Sequence, residues 1–214
     1  MKRKELQQIL LTIHEKLLSA HGPQECALVH SNAFELLVAT ILSAQCTDKM
    51  VNTVTPELFR RYPTAAALAA ADRAELEKII HPCGFYRAKA NSLLGAAQKI
   101  VSDFNGEVPG NMDDLTSLPG VGRKTANVVL GDAFHVPGLP VDTHVKRITN
   151  KIGLVRSDDP VEIEQRLCAN LPPELWSSFS HLIIIHGRTR CPARKPDCGN
   201  CEIKLCCKTG KAEK

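Results

Sequence analysis

The 214-residue sequence lacks a long hydrophobic run, although 43% of its residues are hydrophobic. A membrane-spanning helix needs about 20 consecutive apolar residues, and no stretch of the chain approaches that length. The composition also lacks the bias of disordered or collagen-like chains. These absences predict a soluble globular protein, large enough for one domain or for two small lobes.

The N-terminus lacks the continuous apolar segment of a secretory signal peptide. Its first four residues include three basic ones, but the apolar residues that follow recur at helical spacing between polar ones: Leu6, Ile9, Leu10, Ile13 and Leu17. We expect an amphipathic helix docked on the body and a cytoplasmic protein. Disulfides are rare in that reducing compartment.

The chain also lacks any run of alternating apolar and polar residues bounded by hairpin turns, so we expect an all-α fold. Helix starts are predicted at Asn32, at Thr47 or Asp48, at Asp72 and at Asp159-Pro160. Another helix should open at Pro173 and end at Gly187. Pro137, Gly138 and Pro140 suggest a boundary between two lobes.

Charge and cysteine are unevenly distributed. Residues 186–214 carry eight Lys or Arg and three Asp or Glu, a net charge of +5, whereas residues 1–185 sum to −1. Five of the nine cysteines lie within the 17 positions 191–207. The sequence therefore has a basic, cysteine-rich tail on a nearly neutral body, which is a charge pattern that suits nucleic acid.

Four cysteines in this tail have the spacing of metal ligands: Cys191, Cys198, Cys201 and Cys207. The spacing alone leaves Zn²⁺ and an iron–sulfur cluster open, because it matches neither paired zinc knuckles nor the common ferredoxin patterns. Cys206, next to Cys207, is left over. Cys26, Cys46, Cys83 and Cys168 are interpreted as core or ordinary surface residues.

The segment Leu118–Ala126 combines two glycines with the start of an apolar helix. Gly120 and Gly122 allow a sharp turn, and the turn and helix N-terminus can direct backbone N–H groups at an anion. A nucleotide-binding P-loop is excluded, because Leu118 and Arg123 stand where that motif needs glycine. A glycine-containing turn between two helices is the purely structural alternative.

Two ionisable residues near this segment are candidates for catalysis. Lys124 falls in the first helical turn, where the helix dipole disfavours its charged form, so it is either an amine nucleophile or a phosphate-binding lysine. Asp142, in Val141-Asp-Thr-His144, is predicted to cap the next helix, a role compatible with catalysis. His144 is interpreted as structural.

These motifs, in this order, resemble those of the endonuclease III family of DNA repair glycosylases. The resemblance covers nearly the whole chain and rests on Phe34-Glu-Leu-Leu, Leu42–Asp48, Leu118–Val129, Val141–His144, His186-Gly-Arg188 and the four cysteines. It implies a two-lobed, all-α helix-hairpin-helix glycosylase fold. Residues 26–136 would form a six-helix barrel with the hairpin at about 112–131. Residues 1–25 and 137–214 would form a cluster domain.

The resemblance also implies roles for individual residues. Lys124 would be the Schiff-base lysine and Asp142 the essential carboxylate. Gln45 would enter the gap left by a flipped nucleotide, and Phe85 stands where relatives often have a leucine wedge, although it could equally be a packing residue. The hairpin residues Gly120, Val121, Gly122 and Arg123 would contact DNA. Cys191, Cys198, Cys201 and Cys207 would hold one [4Fe-4S] cluster in the loop 191–207.

The resulting prediction is a monomeric base-excision repair enzyme, a DNA glycosylase with lyase activity. It would excise oxidised pyrimidines from double-stranded DNA and nick the strand at the abasic site, working near the nucleoid and not at a membrane. A monofunctional glycosylase for adenine or mismatched thymine is one alternative, which Lys124 and the short chain oppose. A non-catalytic DNA-binding protein is the other.

Overall fold

A computed structural model describes residues 3–212 of the chain. These residues form α-helices, short 3-10 turns and loops, without any strand, which confirms the all-α prediction. The helices are α1 (Arg3–His21), α2 (Ala33–Ser43), α3 (Asp48–Arg61), α4 (Ala65–Ala69), α5 (Arg73–Ile80), α6 (Tyr86–Asp103), α7 (Met112–Thr116), α8 (Arg123–Ala133), α9 (Thr143–Ile152), α10 (Pro160–Cys168), α11 (Trp176–Thr189) and α12 (Lys208–Ala212).

The chain divides into two compact units. The inner unit is Cys26–Val136 and contains α2 to α8; the terminal unit combines Met1–Glu25 with Pro137–Lys214. Each has its own apolar core. Both ends of the chain therefore belong to one unit, and the other is continuous in sequence.

Three helices of the inner unit begin where the sequence predicts. Asn32, Thr47 and Asp72 each accept a hydrogen bond from a backbone N–H one turn ahead. Glu35 reaches back to the N–H of Ser31 at 2.7 Å, a variation on the capping box. In the core of this unit, α2 packs against α8, and α6 packs against α4 and α5. This packing holds the start of α8 in place.

The terminal unit is built around α11, which packs against both α1 and α9. Leu10, Ile13 and Leu17 of α1 are fully buried, as its apolar spacing predicts. The side chain of His14 lies on the same face and pairs with the Ser178 hydroxyl at 3.0 Å. The N-terminal helix is thus part of the core that supports the cysteine-rich tail.

The prediction that a helix ends at Gly187 was wrong. Pro173–Leu175 forms a 3-10 turn, and α11 then continues through Gly187 to Thr189. A Cβ at Gly187 would lie 3.0 Å from His144 Nδ1, so glycine is needed here for close packing against α9 rather than to stop the helix. No helix in residues 3–212 is long and apolar enough to cross a membrane.

Candidate DNA-binding and metal sites

The turn at Leu118–Gly122 joins α7 to α8. Leu118 and Val121 are buried, and the Val121 N–H donates to the Leu118 carbonyl at 3.1 Å, which closes the turn. Gly120 has a φ of +78°, a conformation that favours glycine. A Cβ there would also lie 2.4 Å from the Ser92 Cβ. Both observations explain why this position is glycine.

The other side of this turn faces solvent. Gly120, Gly122 and Arg123 are exposed, and α8 begins at Gly122 without a side-chain cap. A helix N-terminus without a capping side chain suits an anion such as phosphate. The side chain of Val121 is buried and its N–H is already used within the turn, so Val121 anchors the turn. The residues of the turn that an anion would meet are Gly120, Gly122 and Arg123.

Lys124 is the second residue of α8 and is exposed. It follows the Leu118–Gly122 turn directly, and its neighbours on the buried side, Ala126 and Asn127, fix the helix in the core. Its amine is therefore open to solvent in the first turn of a helix whose N-terminus has no capping side chain.

Gln45 and Phe85 have the same unusual backbone conformation. Their φ angles are +53° and +48°, in the left-handed region that side chains larger than Asn rarely adopt. Both side chains are exposed, and that of Phe85 is 67% accessible to solvent. Strained backbone in exposed residues is typical of functional positions, because no core packing explains it. Phe85 is therefore not a packing residue in this structure.

Asp142 belongs to the terminal unit and is the N-cap of α9. Its Oδ1 accepts a hydrogen bond from the Val145 N–H at 2.8 Å, as the sequence predicts. The carboxylate is half-buried, so its second oxygen can serve another group. Lys124 and Asp142 thus lie in different units, each fixed by the start of a helix.

Arg147 of α9 has a structural role. Its guanidinium donates to the carbonyl oxygens of Cys191 and Gly187, at 2.8 and 3.1 Å. Lys146 pairs with Asp158 at 2.9 Å. Arg147 thereby joins α9 to α11 and to the start of the cysteine loop.

The four predicted ligand cysteines line one cavity in the terminal unit. Cys191, Cys198, Cys201 and Cys207 surround it together with apolar residues of α9 and with His186. Cys206 lies instead on a different pocket, beside Gly153 and Lys208. No disulfide joins any of the nine cysteines, all of which fall within residues 3–212. Four thiols around one cavity fit a group bound by thiolate ligands.

Hydrogen bonds to sulfur support this set of ligands. The Gly210 N–H points at Cys207 Sγ at 3.3 Å, and His186 Nε2 lies 3.8 Å from Cys201 Sγ. Burial lowers the pKa of His186 to about 4, so its ring is neutral at pH 7. Sequence reasoning missed His186 in this role, although the His186-Gly-Arg188 motif marked its position.

Two of the other cysteines, Cys26 and Cys83, pack in or against the core of the inner unit. Burial raises the pKa of Cys26 and of Cys83 to about 11, and Cys83 is almost completely inaccessible. Thiols of such high pKa react poorly. This agrees with the interpretation of Cys26 and Cys83 as core residues.

Comparisons with known proteins show what this chain is similar to. The sequence model of the HhH-GPD superfamily of base excision DNA repair proteins matches residues 38–173. An endonuclease III of Synechocystis sp. is 50% identical over 212 residues, 99% of this chain and 95% of the relative. That of Bacillus subtilis is 46% identical over 187 residues, 87% of this chain and 85% of the relative.

A solved structure shows the same fold. The structure of a trapped endonuclease III–DNA covalent intermediate, an estranged-adenine complex, has a TM-score of 0.91 and 41% sequence identity, and the match covers 99% of this chain and 98% of that one. The identities and coverage far exceed what a shared fold alone requires. The chain belongs to the endonuclease III family of HhH-GPD base excision DNA repair proteins.

Proposed function

We propose that this DNA glycosylase excises oxidised pyrimidines and then nicks the strand through Lys124. The observation that carries the proposal is the position of Lys124, an exposed amine in the first turn of α8 directly after the Leu118–Gly122 turn. The covalent DNA intermediate of the 41% identical relative supports a covalent mechanism. The partner would be double-stranded DNA with an oxidised pyrimidine or an abasic site. The protein would act as a monomer near the nucleoid in the cytoplasm.

Binding would begin with the phosphates and with extrusion of the damaged nucleotide. Gly120, Gly122 and Arg123 would hold one strand through its phosphates. A base inside the duplex is inaccessible, so the nucleotide must be flipped out at a cost of a few kcal/mol, which is smallest for a lesion that stacks badly. Gln45 and Phe85, strained and exposed, would fill the space that the nucleotide leaves.

The chemistry then needs a nucleophile and a carboxylate. As the N-glycosidic bond breaks and the base leaves with the bonding electrons, positive charge develops on the sugar, which the Asp142 carboxylate would stabilise. Lys124 Nζ would bond to C1′ and, after the sugar ring opens, form an imine. The imine makes the proton at C2′ more acidic. When this proton is lost, the C3′–O bond breaks and the 3′ phosphate leaves.

The cysteine cavity would hold one [4Fe-4S] cluster through Cys191, Cys198, Cys201 and Cys207. The geometry that supports this is the position of all four thiols on one cavity, with the Gly210 N–H directed at Cys207 and His186 Nε2 beside Cys201. Such a cluster would cross-link the loop 191–207. No step of the reaction above requires it.

Borohydride trapping on thymine-glycol and abasic duplexes tests the proposal. Wild type should form a covalent adduct and a nicked product, and Lys124→Ala should form neither. Lys78→Ala, which changes another exposed lysine of the inner unit, is the matched control and should behave as wild type. An undiminished adduct with Lys124→Ala would exclude this nucleophile. Excision without nicking by wild type would indicate a monofunctional glycosylase, and binding alone a non-catalytic protein.

A further inference from the structure

Three side chains of the terminal unit converge on one point beside the cysteine cavity, which His186 also lines. They are His21 at the end of α1, His186 in α11 and Glu202 in the loop that follows. One ligand atom of each lies within 4.8 Å of the other two, and His186 Nδ1 is 3.9 Å from Glu202 Oε2. The two imidazole rings meet edge to face, with centroids 5.8 Å apart. This group is called the His-His-Glu cluster below.

The polar atoms that face the centre of the His-His-Glu cluster make no hydrogen bond within the described residues. His21 Nε2, His186 Nδ1 and Glu202 Oε2 are all buried, and none has a hydrogen-bond partner in the part of the chain that the structure describes. His186 is only 1% exposed. Buried polar atoms are almost always satisfied. Three unsatisfied atoms that share one centre therefore indicate a bound species at that centre.

The other atoms of these side chains show what kind of species fits. His186 Nε2 lies 3.8 Å from Cys201 Sγ. With Cys201 as a thiolate ligand of the proposed cluster, Nε2 would donate to the sulfur and Nδ1 would keep a lone pair. Glu202 Oε1 accepts from Arg190 Nη2 at 2.9 Å, and Arg190 also pairs with Asp197 at 2.8 Å. Glu202 Oε2 is thus the oxygen that remains for the centre. Two lone pairs directed at one point suit either a hydrogen-bond donor or a metal ion, and the ligand types decide in favour of the metal ion.

We propose that His21, His186 and Glu202 bind a divalent transition-metal ion of the Zn²⁺ class, separate from the group held by the four cysteines. Two imidazoles and one carboxylate are a common zinc ligand set, with water in the fourth position. Zinc needs bonds of about 2.0–2.2 Å, so the ligand atoms, now up to 4.8 Å apart, must move closer together when the ion binds. His21 and Glu202 are partly exposed, which gives the ion an entry path.

The surroundings of the His-His-Glu cluster are those that metal ligands usually have. Ligating histidines usually donate their second N–H, and ligating carboxylates are held by hydrogen bonds. His186 and Glu202 meet these conditions through Cys201 and Arg190. The ion would join the end of α1 to the cysteine loop, which are 181 positions apart in sequence at His21 and Glu202. It would therefore stabilise the tail against thermal unfolding.

The test uses the intact protein with its iron retained. After dialysis against ZnCl₂ and removal of loose metal, iron and zinc are measured by mass spectrometry, and the melting temperature is recorded. Wild type should hold about one zinc ion per chain in addition to its iron, and zinc should raise its melting temperature. Glu202→Gln and His21→Asn should lose the zinc and keep the iron and the visible absorption. His30→Asn, in the inner unit, is the matched control and should keep both.

Crystals of wild type grown with ZnCl₂ provide a second measurement that does not depend on the variants folding. Diffraction data above and below the zinc absorption edge should show an anomalous peak between His21 Nε2, His186 Nδ1 and Glu202 Oε2. A peak without anomalous signal would identify a water molecule and overturn the proposal. Equal zinc in wild type, Glu202→Gln and His21→Asn would show adventitious binding elsewhere and would overturn it as well.

Discussion

Asp142 Oδ1 accepts a hydrogen bond from the Val145 N–H at 2.8 Å, so this carboxylate caps α9 whatever else it does. The cap uses one oxygen and requires no charge, because asparagine caps helices about as well as aspartate. The catalytic role proposed for Asp142 requires the negative charge. Capping and catalysis can therefore be separated by substitution.

We expect Asp142→Asn to keep the stability of wild type to within about 0.5 kcal/mol, whereas Asp142→Ala should lose about 1 kcal/mol with the cap. Both variants should lose excision activity, by at least about a hundredfold, because neither can stabilise positive charge on the sugar. Urea unfolding and single-turnover excision of thymine glycol measure the two effects. Normal excision by Asp142→Asn would show that the residue is only a cap.

Substitution of Gln45 or Phe85 by glycine should raise stability and lower activity. A φ near +50° costs a larger residue roughly 1 kcal/mol, so Gln45→Gly and Phe85→Gly should each raise the unfolding free energy by up to about 1 kcal/mol. Excision should fall at least about tenfold, because the extruded nucleotide is no longer replaced. Asn105→Gly, at a φ of +54°, is the control and should leave excision unchanged. A loss of stability in Phe85→Gly would show that Phe85 packs after all.

The two hairpin glycines should differ in their tolerance of alanine. Gly120→Ala meets the Ser92 side chain and an unfavourable φ, so we expect a loss of about 1–3 kcal/mol. Gly122→Ala has no atom within 4 Å of the added methyl group and should lose less than about 1 kcal/mol. Thermal or urea unfolding of the two variants decides the point. Equal losses would contradict the contact with Ser92.

Removal of single cysteines should distinguish ligands from neighbours. Cys207→Ser should lower the iron content and the visible absorption of the purified protein and reduce its stability, because it removes a thiol that lines the cavity. Cys206→Ser should keep the iron, since Cys206 lies on another pocket. Retention of iron in Cys207→Ser together with its loss in Cys206→Ser would reverse the assignment.

His14 should make the protein less stable in mild acid. Burial lowers the pKa of His14 below 6.5, so between that value and the folded pKa the unfolded chain binds a proton that the folded chain does not. The stability that the neutral ring provides is present above pH 6.5 and declines as the pH falls below it. The fall in urea midpoint between pH 7.5 and 5.5 should be smaller in His14→Asn than in wild type. Identical pH dependence would exclude this contribution.

Structural features that depend on residues close together in the sequence could be predicted. The caps at Asn32, Asp72 and Asp142 depend on contacts within one helical turn, and the alternation of buried and exposed positions in α1 depends only on helical period. The fold class followed from such patterns. The spacing of the four cysteines indicated a metal site before any geometry was known.

Features that depend on distant residues could not be predicted. Gly187 has the sequence context of a helix terminator, but its neighbour in space is His144 on another helix. Arg147 counts as a surface cation in the sequence, but its guanidinium reaches the carbonyl of Cys191. Phe85 could be assigned to solvent rather than to the core only when its exposure was known. In each case the deciding contact joins parts of the chain that sequence order does not bring together.

The placement of both chain ends in one unit has a consequence for synthesis on the ribosome. The inner unit, Cys26–Val136, is continuous and can complete its core as soon as it emerges. Helix α1 emerges before the inner unit, but its partner α11 is made more than 150 residues later. The amphipathic face of α1 therefore stays without its partner while the whole inner unit is made, and a helix that is made before this unit is buried after it.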